Sequence, residues 1–161
     1  MKKFVFTLLL VFVCHLGYAQ SINGLFNEFG SEKNADCVKV SSFMMSLGKM
    51  FAGHDEDAKI IRKIKSIKVL DLESCTASVK ERFSKKVNRL SLKGYDELMR
   101  VNDEGEKVRV LMKTKKETIR ELLFVCTGKE DCTLVQINGK FTKEDIDKLV
   151  NQETKKKHGR R

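Results

Sequence analysis

The spacing of apolar residues changes character near Gly94, and that change limits the fold more than any other feature of the chain. Ahead of it the spacing is helical. Phe43, Met44, Leu47, Met50 and Phe51 recur at intervals of three and four, which predicts an amphipathic helix over 42–52. Asp55, Glu56 and Asp57 follow, and three acids suit the first turn of a second helix, where the dipole favours negative charge. That helix sets Ile60, Ile61 and Ile64 on one side and Lys59, Arg62 and Lys63 on the other. Residues 66–73 interrupt with a strand built on Ile67, Val69, Leu70 and Leu72. Thr76 or Ser78 then caps a helix whose stripe is Val79, Phe83, Val87 and Leu90.

Beyond Gly94 the period shortens to two. Strands are expected over 96–101, 108–115, 121–127 and 132–138, with a turn at Asn102-Asp103-Glu104-Gly105-Glu106. Leu122-Leu123-Phe124-Val125 reads as a central strand buried on both faces. Thr142 caps a last helix with Ile146, Leu149 and Val150 inward. Residues 21–36 are polar with isolated Leu25, Phe26 and Phe29, a leader segment or a short helix, and Val38-Lys39-Val40 suits a brief strand. The expected fold is α+β: an antiparallel sheet, made of a four-stranded C-terminal meander and one or two N-terminal strands, with helices packed on one face. A single domain over 20–152 fits this pattern, because no repeat and no interdomain linker divides it.

The first nineteen residues stand apart from that pattern. Met1-Lys2-Lys3 is positive, Phe4 to Val13 is unbroken apolar sequence, and small residues Gly17 and Ala19 follow. This is the order of a secretory signal peptide cut after Ala19, and the run is too short to span a bilayer, which takes about 20 residues. Removing 1–19 takes away two Lys and no acid, so the net charge falls from +10 to +8. The expected location is exported: periplasmic, outer-membrane-associated or secreted. At the other end, 153–161 is a basic stretch with no apolar anchor and is expected to be disordered.

Cys37, Cys75, Cys126 and Cys132 are then the remaining cysteines, an even number in an oxidising compartment. If the flanking strands form a hairpin, Cys126 and Cys132 face each other across it, which leaves Cys37 with Cys75; four free thiols are the alternative. No Cys-x-x-Cys and no suitably spaced His suggests a metal site. Neither a Gly-x-Ser-x-Gly elbow, a His-Glu-x-x-His pair nor a phosphate-binding glycine loop occurs, and His54 beside Asp55 and Asp57 is the one imidazole near carboxylates within the domain. No cofactor is expected. Seven Phe and one Tyr remain after the leader, most on apolar stripes, which argues against a nucleic-acid partner. The most functional feature is positive charge on two helical faces: Lys59, Arg62 and Lys63 on one, Lys80, Arg82, Lys85, Lys86 and Arg89 on the other. These are a candidate anion-binding face for lipid headgroups or lipopolysaccharide.

Gly-Tyr-Ala-Gln at 17–20, Ile64-Lys65-Ser66-Ile67-Lys68-Val69-Leu70, Leu122-Leu123-Phe124-Val125 and Leu134-Val135-Gln136-Ile137-Asn138-Gly139-Lys140-Phe141 together resemble a family of short exported Bacteroidetes proteins, domain of unknown function 4252. The resemblance implies an exported α+β protein and supplies no catalytic residue. The expected role is a non-enzymatic binding or interaction module of the cell envelope, with an envelope protein or an anionic envelope surface as partner. The alternatives are an anionic lipid- or lipopolysaccharide-binding protein, and a hydrolase with an unrecognised site.

Overall fold

The computed structural model describes residues 21–51, 56–90, 92–103 and 105–148. The expected signal peptide, His54 with Asp55, and the tail 153–161 lie outside the described residues. The elements are α1 (Ile22–Phe29), β1 (Asp36–Val40), α2 (Ser42–Phe51), α3 (Glu56–Lys63), β2 (Ile64–Asp71), α4 (Ala77–Arg89), β3 (Asp96–Asp103), β4 (Glu106–Lys115), β5 (Thr118–Thr127) and β6 (Cys132–Phe141). A further helical segment runs over 143–148.

All six strands form one antiparallel sheet in the order β1-β2-β6-β5-β4-β3. β3 to β6 are the expected meander. β2 joins it by pairing with β6, and β1 adds to β2 as one edge. The α+β architecture is therefore present, with both anticipated N-terminal strands in the same sheet.

One face carries the main core. Leu70, Leu72, Leu111, Leu123, Val125 and Leu134 meet Ile22, Leu25, Phe26 and Phe29 of α1 and Val79, Phe83 and Val87 of α4. The spacing of the α1 residues is i, i+3, i+4, i+7, a complete helical stripe. Ser21 caps α1, accepting from the Gly24 N–H at 3.0 Å. Phe29 and Phe83 lock the two helices edge to face with centroids 5.2 Å apart. Arg82 lies over the Phe29 ring at 5.2 Å and also pairs with Glu32, while Lys86 grips Glu28 at 2.6 Å. The expected α4 stripe is buried as read, although Thr76 caps through its backbone rather than its side chain.

Helices on one face describes α1 and α4. α3 and the 143–148 segment lie on the other face and close only one end of it. Ile60 of α3 and Ile146 pack there against Ile119, Leu122, Phe141, Met112 and Ile137. Gly139 allows this close approach, since a Cβ there would come within 2.7 Å of the Lys63 carbonyl and 2.5 Å of the Phe141 ring. The 143–148 segment begins with a reciprocal cap: the Thr142 N–H donates to Asp145 Oδ2 at 2.7 Å, and the Asp145 N–H donates to Thr142 Oγ1 at 3.3 Å. Ile61, read as an inward residue from its spacing, is 43% exposed, because α3 meets the sheet through Ile60 alone at that turn.

Candidate interaction surface

Strand pairing sorts the side chains of the half-covered face into rows, because alternate residues share a side of the sheet. The middle row crosses every strand: Val38, Val69, Val135, Phe124, Val110 and Met99 stand in register. Five inter-strand steps make it roughly 24 Å long. On one side of it lies the row Val40, Ile67, Ile137, Leu122 and Met112, which α3 and the 143–148 segment partly cover. The middle row is left open at several points, with Val38 55%, Met99 50% and Phe124 37% exposed, and Val101 nearby is 44% exposed. The expectation that β5 is buried on both faces fails at Phe124 for this reason: nothing among the described residues covers it. An apolar band of this extent on an isolated chain marks a site of association.

On the other side of the middle row stand Asp36, Asp71, Thr133, Cys126, Val108 and Val101, acidic at its β1–β2 end, with Asp103 and Glu106 one row further out. Asp36 stands directly opposite Asp71 across β1 and β2, and Asp103 directly opposite Glu106 across β3 and β4. Like charges placed opposite one another on a sheet destabilise it. None of these four carboxylates is in an ion pair among the described residues. No Lys or Arg occupies a regular strand position of the three rows, in a chain whose net charge is +10.

The expected anion-binding face does not form as one surface. Lys59, Arg62 and Lys63 belong to α3, whereas Lys80, Arg82, Lys85, Lys86 and Arg89 belong to α4, across the sheet. Several of the eight are also engaged, among them Lys63 with Asp145, Arg82 with Glu32, Lys85 with Glu81, Lys86 with Glu28, and Lys80 with the carbonyl of Glu130 at 2.7 Å. Burial works against the Asp145 carboxylate, but the Lys63 ammonium and the two Thr142 donors outweigh it and hold its pKa below the ordinary value. A smaller basic cleft of about 500 Å³ does occur beside α4, lined by Lys80, Ser84, Asn88, Lys107, Thr127 and Lys129. Lys107 and Lys129 escaped notice in the sequence because one begins β4 and the other lies in the connection between β5 and β6.

The cysteines are free thiols. The Cys126–Cys132 bridge expected from the sequence is not formed, and the register explains it. Cys126 pairs with Thr133 and Cys132 with Thr127, so the two side chains leave opposite faces of the hairpin. Cys132 is buried in the main core, and Cys126 sits half-buried on the open face, where burial and then nearby Glu106 raise its pKa. The Cys37–Cys75 bridge is likewise absent: both residues border the main core as separate thiols, and Cys75 reaches the Lys33 carbonyl at 3.5 Å.

A polar group that spacing alone did not disclose lies on the α1/α4 side. Tyr95 donates to Glu121 at 2.7 Å, and the buried Gln136 donates to the same oxygen at 2.6 Å. Burial first, then the Glu121 hydrogen bond, pushes the Tyr95 hydroxyl pKa well up. That removes it as a base near neutral pH.

No helix among the described residues is long and apolar enough to cross a membrane. Among the described residues no group of three or more His, Cys, Asp or Glu side chains is placed to hold a metal ion. No curated protein matches the chain, and no solved structure does. A family model, however, matches residues 29–149, from the end of α1 through the helical segment after β6, which includes every strand of the open apolar face. The chain therefore belongs to the family described as Domain of unknown function (DUF4252).

Proposed function

We propose that this protein is an exported, non-enzymatic interaction module of the cell envelope that docks through its open sheet face. The row from Val38 to Met99 carries the reading: a band of six apolar positions, several of them exposed, with a burial cost still unmet in the isolated chain. The positive leader and apolar run at 1–13 support the export half of the reading. Two measurements test it. A photo-reactive phenylalanine analogue at position 124 gives covalent adducts in cells, while the same group at position 85, on the exposed surface of α4, does not. The protein recovered from the envelope fraction begins at Gln20. Absence of adducts from position 124 removes the docking half, and a cytosolic chain that keeps Met1 removes the export half.

A second reading attaches to the cleft of Lys80, Lys107 and Lys129, whose three ammonium groups suit a phosphorylated lipid headgroup or lipopolysaccharide. It requires binding to anionic vesicles that falls with added salt and is lost in the Lys107→Glu, Lys129→Glu double variant. Neutral vesicles that bind equally well exclude it.

A further inference from the structure

We infer that the occupant of the open face is a second copy of this chain, docked about a two-fold axis that lies in the interface and runs parallel to the Val38–Met99 row. The inference rests on the docking role proposed for that face and names the partner.

The face is built in two unlike halves. One end is raised by α3, whose Lys59, Ile60 and Lys63 border a cavity shared with Thr142, Asp145 and Lys148. Residues along a helix advance by about 100° each, so Ile61 falls on the opposite flank of α3, and Arg62 points away from the sheet that holds Ile60. Both are exposed. α2, which touches α3 and β2, adds exposed Phe43 and Met44. The other end is bare sheet, apolar along the middle row and acidic beyond it at β1–β2, where Asp36 faces Asp71. Rotation about the row turns the molecule over and exchanges its ends. The raised α3 of each copy, with Arg62 in its basic last turn, then comes down over the bare end of the other that holds Asp36 and Asp71, at the β2–β6 position that α3 itself occupies along the row.

Three separate oddities are answered by that one operation. Exposed Ile61 meets an apolar row that lacks cover. The bare end of the sheet receives a helix, as the other end already does within one chain. The opposed acids Asp36 and Asp71, without a basic partner on their own face, receive Arg62 of the second copy. A row on each copy about 24 Å long, with the helical end included, gives a buried surface in the range of ordinary two-fold contacts, about 800 Å² per partner. An anionic membrane fits less well, since the acids beside the apolar row repel it.

Sedimentation velocity of the protein purified from cells, over a micromolar concentration series, tests the inference. The expected result is a reversible dimer that Phe124→Glu and Arg62→Glu each weaken about tenfold or more, with circular dichroism unchanged. The charge exchange Arg62→Glu with Asp71→Arg then recovers most of the lost association, which a merely damaged fold does not do. A monomer throughout the series overturns the inference, as does a dimer indifferent to Phe124→Glu or a charge exchange without recovery. The photo-crosslink at position 124 separates this failure from failure of the docking role. An adduct of twice the chain mass supports the second copy. An adduct with a different protein or with lipid overturns it while the docking role stands, and no adduct overturns both.

Discussion

At the scale of single residues, two positions govern how the short helices are held on the sheet. Gly139 has no side chain where the Lys63 carbonyl and the Phe141 ring come closest. Gly139→Ala forces an overlap into that contact and is expected to cost about 1–3 kcal/mol, read as a lower denaturant midpoint with an unchanged slope. Asp145 clamps the same region, accepting from Lys63 and Thr142 while its side chain is only 11% exposed. Its folded-state pKa lies below the ordinary value of 3.8. The unfolded chain therefore binds the proton more readily, and this contribution to stability is full above that ordinary value and lost as pH falls through the lower folded one. Asp145→Asn is expected to lower stability by about 1–2 kcal/mol at neutral pH, with part of the pair's strength screened at Lys63, and to flatten the acid limb of a stability–pH curve. An acid limb identical to that of the parent assigns the titration elsewhere. The Thr142 cap was legible in the sequence. The ion partner of Asp145 was not, because Lys63 lies 82 residues away from it in the chain.

At the scale of elements, local period decided most of what could be read in advance. α4 carries its stripe at regular spacing, and its burial follows that stripe. The meander follows from alternation interrupted by turn residues, with Gly105 at φ +93° in the first of those turns. α1 was harder to discern, because Ile22 and three more apolar residues are scattered through a polar stretch and gain meaning only against α4. Phe29→Ala removes the ring that Phe83 abuts and Arg82 covers, and it is expected to cost about 3–5 kcal/mol in chemical denaturation. A cost below about 1 kcal/mol in that measurement makes α1 an appendage rather than part of the core. The cysteine pairing failed for an equally local reason. A four-residue connection, 128–131, puts Cys132 opposite Thr127, and a one-place offset in register sends a side chain to the other face.

At the scale of the whole molecule, alternation could show that the strands are amphipathic or apolar, but not which face would lack a cover. Val69, Val135 and Phe124 have the composition of core residues, and only the sheet order brings them into one uncovered row. The sheet also stands between the two basic helices that looked alike in sequence, which explains why a single anion-binding face could be imagined from the residues yet is not built. The raised α3 at one end and bare sheet at the other make the molecule a half-finished layer. Dissociation of the expected dimer is therefore accompanied by a gain in binding of an apolar dye such as ANS. A dye signal that stays constant across the association range contradicts that expectation.

The position of β6 has a bearing on how such a chain is made. It is the last strand in chain order among the described residues and yet sits between β2 and β5 in the sheet. Until Phe141 has left the ribosome, β1–β2 and the β3–β5 meander have no shared neighbour, and each presents an unpaired margin. A chain stopped after Thr127 is expected to show no cooperative thermal transition; a sharp one would show that β1–β2 or β3–β5 folds alone. A fold whose keystone strand emerges after the strands it joins leaves its two halves unlocked until that strand arrives, so β6 governs when the sheet can close.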